Sequence, residues 1–123
     1  MNQDKETTIQ ELKDILKKFR DDRDWKQFHN PKDLAEAISV EVGELQELFL
    51  WKDKEKIEDK IKNDPEFKAE VEKELADIII FCLNFTNITD IDLSSVIKEK
   101  ISINGKKYSV EKSKGKSTKY NKL

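Results

Sequence analysis

Two glutamates, Glu41 and Glu44, stand three residues apart in "SVEVGELQELFLW", the stretch from Ser39 to Trp51. Residues at that spacing share one face of a helix. The stretch is helical in pattern, with Leu34, Ile38, Leu45, Leu48 and Phe49 recurring near the 3.6-residue period. Glu41 falls inside this stripe, between Ile38 and Leu45, where an apolar residue is expected. A second pair, Glu74 and Asp77, repeats the spacing in "EKELADIIIFCLNF". It flanks Leu75 on a wide apolar face that also carries Val71, Ile78, Ile79, Cys82 and Phe85. If these two helices pack antiparallel, four carboxylates converge in the interior.

Such a cluster cannot stay fully ionised without compensation, because like charges and burial both raise carboxyl pKa values. A hard divalent cation removes both costs. An all-oxygen donor set selects Mg²⁺, Mn²⁺ or Ca²⁺ rather than Zn²⁺. The competing reading is a solvated acidic face, since a chain with 26 acidic residues contains such pairs by chance. That reading leaves the position of Glu41 unexplained. A di-iron carboxylate bundle would need Glu-x-x-His pairs. The single histidine, His29, belongs to no such pair.

The elements that must position these groups are helical. Three glycines and two prolines leave few turns, and strand-like alternation is scarce. A first helix is expected from about Thr8 to Asp22, with Ile9, Leu12, Ile15, Leu16 and Phe19 on one face. "RDWKQFHN" connects it to a second helix, capped by Asn30, opened by Pro31 and running to about Trp51. "KDKEKIEDKIKND" fits either a short solvated helix or a long loop. A third helix follows from Pro65 to about Asn87, with Asp64 as N-cap. After the break "TDIDLSS", Asp90 or Asp92 is placed to cap a fourth helix from Leu93 to Asn104, with Gly105 as its stop. The expected fold is all-α, a four-helix bundle. Residues 1–105 form its domain and residues 106–123 a flexible basic tail.

Composition narrows the class. With 123 residues, 41% charged and 36% hydrophobic, the chain has a thin core, and completion of that core by association with a second copy is expected. A net charge of −2 gives no global field toward nucleic acid or membrane. Lys106, Lys107, Lys112, Lys114, Lys116, Lys119 and Lys122 crowd the last eighteen residues against the one acid Glu111. They read as a solvated tail or as a flap bringing cations to an anionic ligand. Cys82, alone, reads as a small core hydrophobe. The polar start "MNQDKETTIQ" and the lack of a spanning apolar run point to a cytoplasmic protein without a membrane partner.

"FRDDRDWKQFHNPKDLAEAISVEVGELQELFLW", then "EKELADIIIF", then "DIDLSSVIKEKISINGKKY" resembles the all-α nucleoside triphosphate pyrophosphatases, in their MazG-like, dCTP pyrophosphatase branch. The family pattern E-x-x-E, spacer, E-x-x-D is met by "EVGE" and "ELAD", with 29 residues between. The resemblance implies hydrolysis of a (deoxy)nucleoside triphosphate, dCTP or a related pyrimidine, to the monophosphate and pyrophosphate. It implies Mg²⁺, with Mn²⁺ as substitute, held by Glu41, Glu44, Glu74 and Asp77, and a dimer or tetramer. Glu41 or Glu44 would also serve the attacking water. Lys100, Asn104, Lys107 and Tyr108 match residues that approach sugar and phosphates. Trp25, Phe28, His29 and Trp51 match those near the base. Leu16 and Phe81 depart from the pattern, standing where animal members carry His and Tyr near the base or ribose. The alternative function is a bundle that kept nucleotide or protein binding and lost turnover.

Overall fold

A computed structural model describes residues 2–123. Among them every regular element is helical: α1 (Ile9–Asp22), α2 (Pro31–Glu47), α3 (Lys54–Asn63), α4 (Pro65–Thr89), α5 (Leu93–Lys107) and α6 (Val110–Ser113), with 3₁₀ turns at Gln3–Lys5, Lys26–Phe28 and Tyr120–Lys122. No helix among the described residues is long and apolar enough to cross a membrane.

The helix starts follow from local chemistry. Thr8 Oγ1 accepts from the Glu11 amide at 3.1 Å and opens α1. Asn30 Oδ1 accepts from the Asp33 amide at 2.9 Å, with Pro31 in the first turn of α2. Asp64 Oδ1 accepts from the amides of Glu66 and Phe67, and Pro65 follows it. Each cap satisfies amides that have no partner inside the helix.

Two boundaries differ from expectation, and one segment left open between helix and loop is a helix. α2 ends at Glu47, four residues before Trp51. The amides of Leu48, Phe49 and Leu50 bond three residues back rather than four, which tightens the chain out of the α-helix. Lys52 Nζ covers the freed Leu48 carbonyl at 2.9 Å, and Trp51 turns the chain with a φ of 62°. "KDKEKIEDKIKND" holds a true helix, α3. It is anchored on its inner side by half-buried Ile57 and Ile61 and by Lys60 Nζ, 4.5 Å from the Phe67 ring centre. Gly105 does not stop α5. The Tyr108 amide still bonds the Asn104 carbonyl at 2.8 Å, so the helix runs through to Lys107. Lys106 and Lys107 in its last turn complement the negative end of the helix dipole.

The chain divides into two compact units, one reaching Asp90 and one from Ile91 to Leu123. In the first, α4 is the spine, and α1, α2 and α3 pack on it. Phe49 meets Phe67 edge-on at 6.1 Å, while Glu41 and Glu44 face Glu74. Contacts that move up α2 move down α4, so the two helices are antiparallel. Asn87 Nδ2 donates to the Lys13 carbonyl at 3.0 Å and joins α4 to α1. The core is small: Leu34, Phe67 and Leu83 are the buried apolar side chains among the described residues. Cys82 is half-buried rather than enclosed. In the second unit, Tyr120 packs edge-on against Tyr108 at 6.0 Å and lies under Lys107 Nζ.

Candidate active site

Because α2 and α4 run antiparallel, their acidic pairs meet. One carboxylate oxygen from each of Glu41, Glu44 and Glu74 lies within 4.8 Å of the other two. Glu41 and Glu74 are half-buried and Glu44 is exposed. Burial pushes the Glu41 carboxyl above its ordinary range, and the neighbouring Glu44, Asp77 and Glu74 push it further. Glu74 is raised in the same way, first by burial, then by Glu44, Asp77 and Glu47. Asp77, one turn along α4 from Glu74, is outside the tight trio but acts on two of its members.

Glu41 Oε2 and Glu74 Oε2 are enclosed and have no hydrogen-bond partner. Enclosed oxygens of this kind are rare unless something else satisfies them. No cation side chain forms an ion pair with the trio among the described residues. Three mutually repelling carboxylates with two orphaned oxygens fit a metal ion, and an all-oxygen donor set fits a hard one.

Asp77 also lines a cavity of about 330 Å³ between α1, the connector and α4. Trp25, His29 and Phe81 line it too, together with Leu16, Phe19 and Ile80. The connector is shaped for this. Asp24 adopts a left-handed φ of 53°, and the Trp25 amide bonds back to the Arg20 carbonyl at 3.0 Å. Trp25 then sets its ring edge-on to Phe19 at 5.8 Å, with the Arg23 guanidinium 3.6 Å from the Phe19 ring centre. His29 Nδ1 is enclosed and unpartnered. Burial and the charge of Arg20 hold its pKa below the ordinary histidine value, so the imidazole is neutral at pH 7.

Trp51 and Phe28 are not gathered here. Trp51 is 94% exposed and borders a separate cleft of about 400 Å³ with Lys52, Lys56 and Lys60. Phe28 is exposed and does not line the cavity. Lys100, Asn104 and Lys107 lie on α5, and Tyr108 caps it, all in the second unit.

Two polar cavity residues escaped the sequence reading. Arg20 is hidden in the charge run "RDDRD", and Asn84 in the apolar run "IIIFCLNF". Helical spacing could have found both. Arg20 is four residues from Leu16, and Asn84 is seven from Asp77 and three from Phe81.

The MazG-like family profile matches residues 37–123. Over 118 residues, 96% of this chain and 69% of the relative, the chain is 35% identical to dCTP pyrophosphatase 1 of Bos taurus. It is 32% identical to dCTP pyrophosphatase 1 of Homo sapiens over the same share of each. It is also similar to the crystal structure of a pyrophosphatase from Archaeoglobus fulgidus DSM 4304. That match has a TM-score of 0.73 and 40% identity, covering 82% of this chain and 92% of that one.

Proposed function

The chain belongs to the MazG-like family, and from that premise we propose that it hydrolyses a pyrimidine deoxynucleoside triphosphate, dCTP or a close relative, to the monophosphate and pyrophosphate. One observation carries the reading: a trio of carboxylates with orphaned oxygens lies beside an aromatic cavity, and Asp77, which lines that cavity, acts by its charge on two members of the trio. A nucleotide needs two things side by side, a seat for phosphates, which the carboxylates would provide once they hold a cation, and a flat pocket for a base. The relatives named dCTP pyrophosphatase support the choice of base.

Glu41, Glu44, Glu74 and Asp77 would hold Mg²⁺, with Mn²⁺ as a substitute. When bound, the ion neutralises triphosphate oxygens and makes water a better nucleophile. The chain's own groups do the rest. Half-buried Glu41 and Glu74 are already disfavoured as free anions, so they are primed to bind cations. Exposed Glu44 reaches solvent and accepts a hydrogen bond from the attacking water, holding it in line. Trp25 offers a face to the base, and neutral His29 offers one donor and one acceptor without adding charge. Lys100, Asn104, Lys107 and Tyr108 supply sugar and phosphate contacts, and Trp51 contributes beyond the cavity that Trp25 lines.

Exposed apolar residues on α1 and α5, among them Ile15 at 62% and Ile101 at 64%, support a homo-oligomer, dimer or tetramer, that covers them. A free nucleotide substrate fits a cytoplasmic enzyme, and the lysines among residues 106–123 fit a segment that supplies cations to a triphosphate. Pyrophosphate release from dCTP, dUTP, dTTP, dATP and dGTP, with Mg²⁺ and with excess chelator, tests the reading. Turnover of a pyrimidine that chelator abolishes is expected. Tight nucleotide binding without turnover would favour the inactive binding module instead.

A further inference from the structure

The cavity contains two buried polar side chains that the proposed reaction leaves unused. Arg20, on α1, is 4% exposed, and Asn84, on α4, is 8% exposed. Both line the cavity from opposite sides. The Arg20 Nε donates to Asp21 Oδ1 at 2.9 Å. Its two terminal amino groups have no hydrogen-bond partner among the described residues, and neither has the Asn84 amide. The enclosed side-chain atoms without a partner among the described residues belong to other residues, so these groups are not sealed in the core and stay open to a ligand in the cavity they line. Asp21, the one partner of Arg20, is itself more than half exposed, so water screens the pair and the guanidinium keeps most of its donor capacity. His29 Nδ1 adds a third unpartnered group at the same cavity. Leu16 and Phe81 have no polar group to offer, and Arg20 and Asn84 stand one helical turn beyond them on the same walls.

We propose that Arg20 and Asn84 are the specificity-determining pair that reads the hydrogen-bonding edge of a pyrimidine base. The inference rests on the nucleotide reading above. A guanidinium has five N–H donors in a planar fork and no acceptor. The cytosine edge presents O2 and N3 as adjacent acceptors, which match that fork. Uracil and thymine keep O2. Asn84 can accept from a 4-amino group through its carbonyl or donate to a 4-carbonyl through its NH₂, so it tolerates both kinds of pyrimidine. Adenine carries no exocyclic oxygen, and its pairing edge sets one ring acceptor, N1, beside an amino donor, so one arm of the Arg20 fork is met and the other is opposed. A wrong base therefore leaves buried charge unpaired, which is how polar pockets discriminate most sharply.

The test compares kcat/KM for dCTP, dUTP, dTTP, dATP and dGTP in the wild type, Arg20→Met and Asn84→Ala, with thermal melts as a check on folding. Arg20→Met should lower kcat/KM for the preferred pyrimidine by about 30-fold or more, mostly through KM. It should shrink the pyrimidine-to-dATP ratio at least tenfold. Asn84→Ala should lower kcat/KM for the pyrimidines more than for dATP. A merely structural role for either residue would lower all five substrates by one common factor. That result, or base ratios unchanged in both variants while the wild type is active, overturns the inference alone. Should Arg20→Met not fold, the Asn84→Ala ratios decide. A wild type that prefers dATP overturns it as well. A wild type that turns over none of the five overturns the nucleotide reading and this inference with it.

Discussion

Replacing Glu41 by Gln should invert the order of two melting curves. In the metal-free protein, Glu41 shares a space under 4.8 Å across with Glu44 and Glu74, and its carboxyl is raised by burial and by those neighbours. A raised folded-state value means that the neutral form is the one the fold favours. Its stabilising effect is complete below the unfolded value and lost as pH rises through the folded one. Above the folded value the fold holds an anion that it disfavours, and an amide of the same shape relieves it. Chelated Glu41→Gln should melt at or above chelated wild type. Metal reverses the order. At a Mg²⁺ concentration about 100 times its dissociation constant, wild type gains about 2.7 kcal/mol. Loss of a mere supporting partner of a ligand weakens metal binding about 10- to 100-fold, so loss of the ligand itself costs no less. At a hundredfold weaker affinity the same Mg²⁺ adds only about 0.4 kcal/mol. The difference, about 2.3 kcal/mol, amounts to roughly 10 °C in a domain of this size. Thermal melts in chelator and in graded Mg²⁺ measure it. A variant that melts lower than wild type in chelator and still gains the full increment from Mg²⁺ would refute both the repulsion and the ligand role.

Three further outcomes follow from other parts of the structure. In chelator, wild-type stability should rise as pH falls from 7 toward the ordinary glutamate range near 4.5, because Glu41 and Glu74 bind protons more tightly folded than unfolded. Saturating Mg²⁺ should flatten that slope, and a metal-free profile that falls steadily over this window would contradict it. Phe67→Ala should cost about 3–5 kcal/mol in urea unfolding, since Phe67 is 4% exposed and meets both Phe49 and Lys60; a loss under 1 kcal/mol would remove it from the core. Light scattering at micromolar concentration should give a dimer or tetramer, and a monomeric mass would contradict the covering of the α1 and α5 faces.

The legible parts of this chain were those in which one residue type has one physical use. Asn30 before Pro31 and Asp64 before Pro65 announced two helices, and the side-chain caps are there. Glu41 within an apolar stripe announced the carboxylate cluster, because nothing in a core needs a carboxylate. The ends of helices were less legible. A C-terminus depends on what the next segment packs against, and it is Phe49 docking on Phe67 that draws the chain off α2 before Trp51. Gly105 permits a left-handed stop without requiring one, and the helix passes through it.

Arg20 and Asn84 were illegible for a more particular reason. A charge beside other charges reads as surface, and an amide among apolar residues reads as a lapse in the stripe. Each acquires meaning only from the opposite wall. α4 places Glu74, Asp77, Phe81 and Asn84 along one line at helical spacing, so a single rigid rod carries the acidic end of the site and the polar end of the cavity. α1 and the connector then supply Arg20, Trp25 and His29 across from it. The distance between the proposed phosphate seat and the proposed base pocket is thereby set by the rise of one helix rather than by a loop. From Asp77 to Asn84 that rise is about 10 Å, a span on the scale of a nucleotide stretched between its base and its phosphates. A substitution that kinks α4 between those residues, such as Ile80→Pro, would therefore uncouple binding of the base from hydrolysis even with every carboxylate intact.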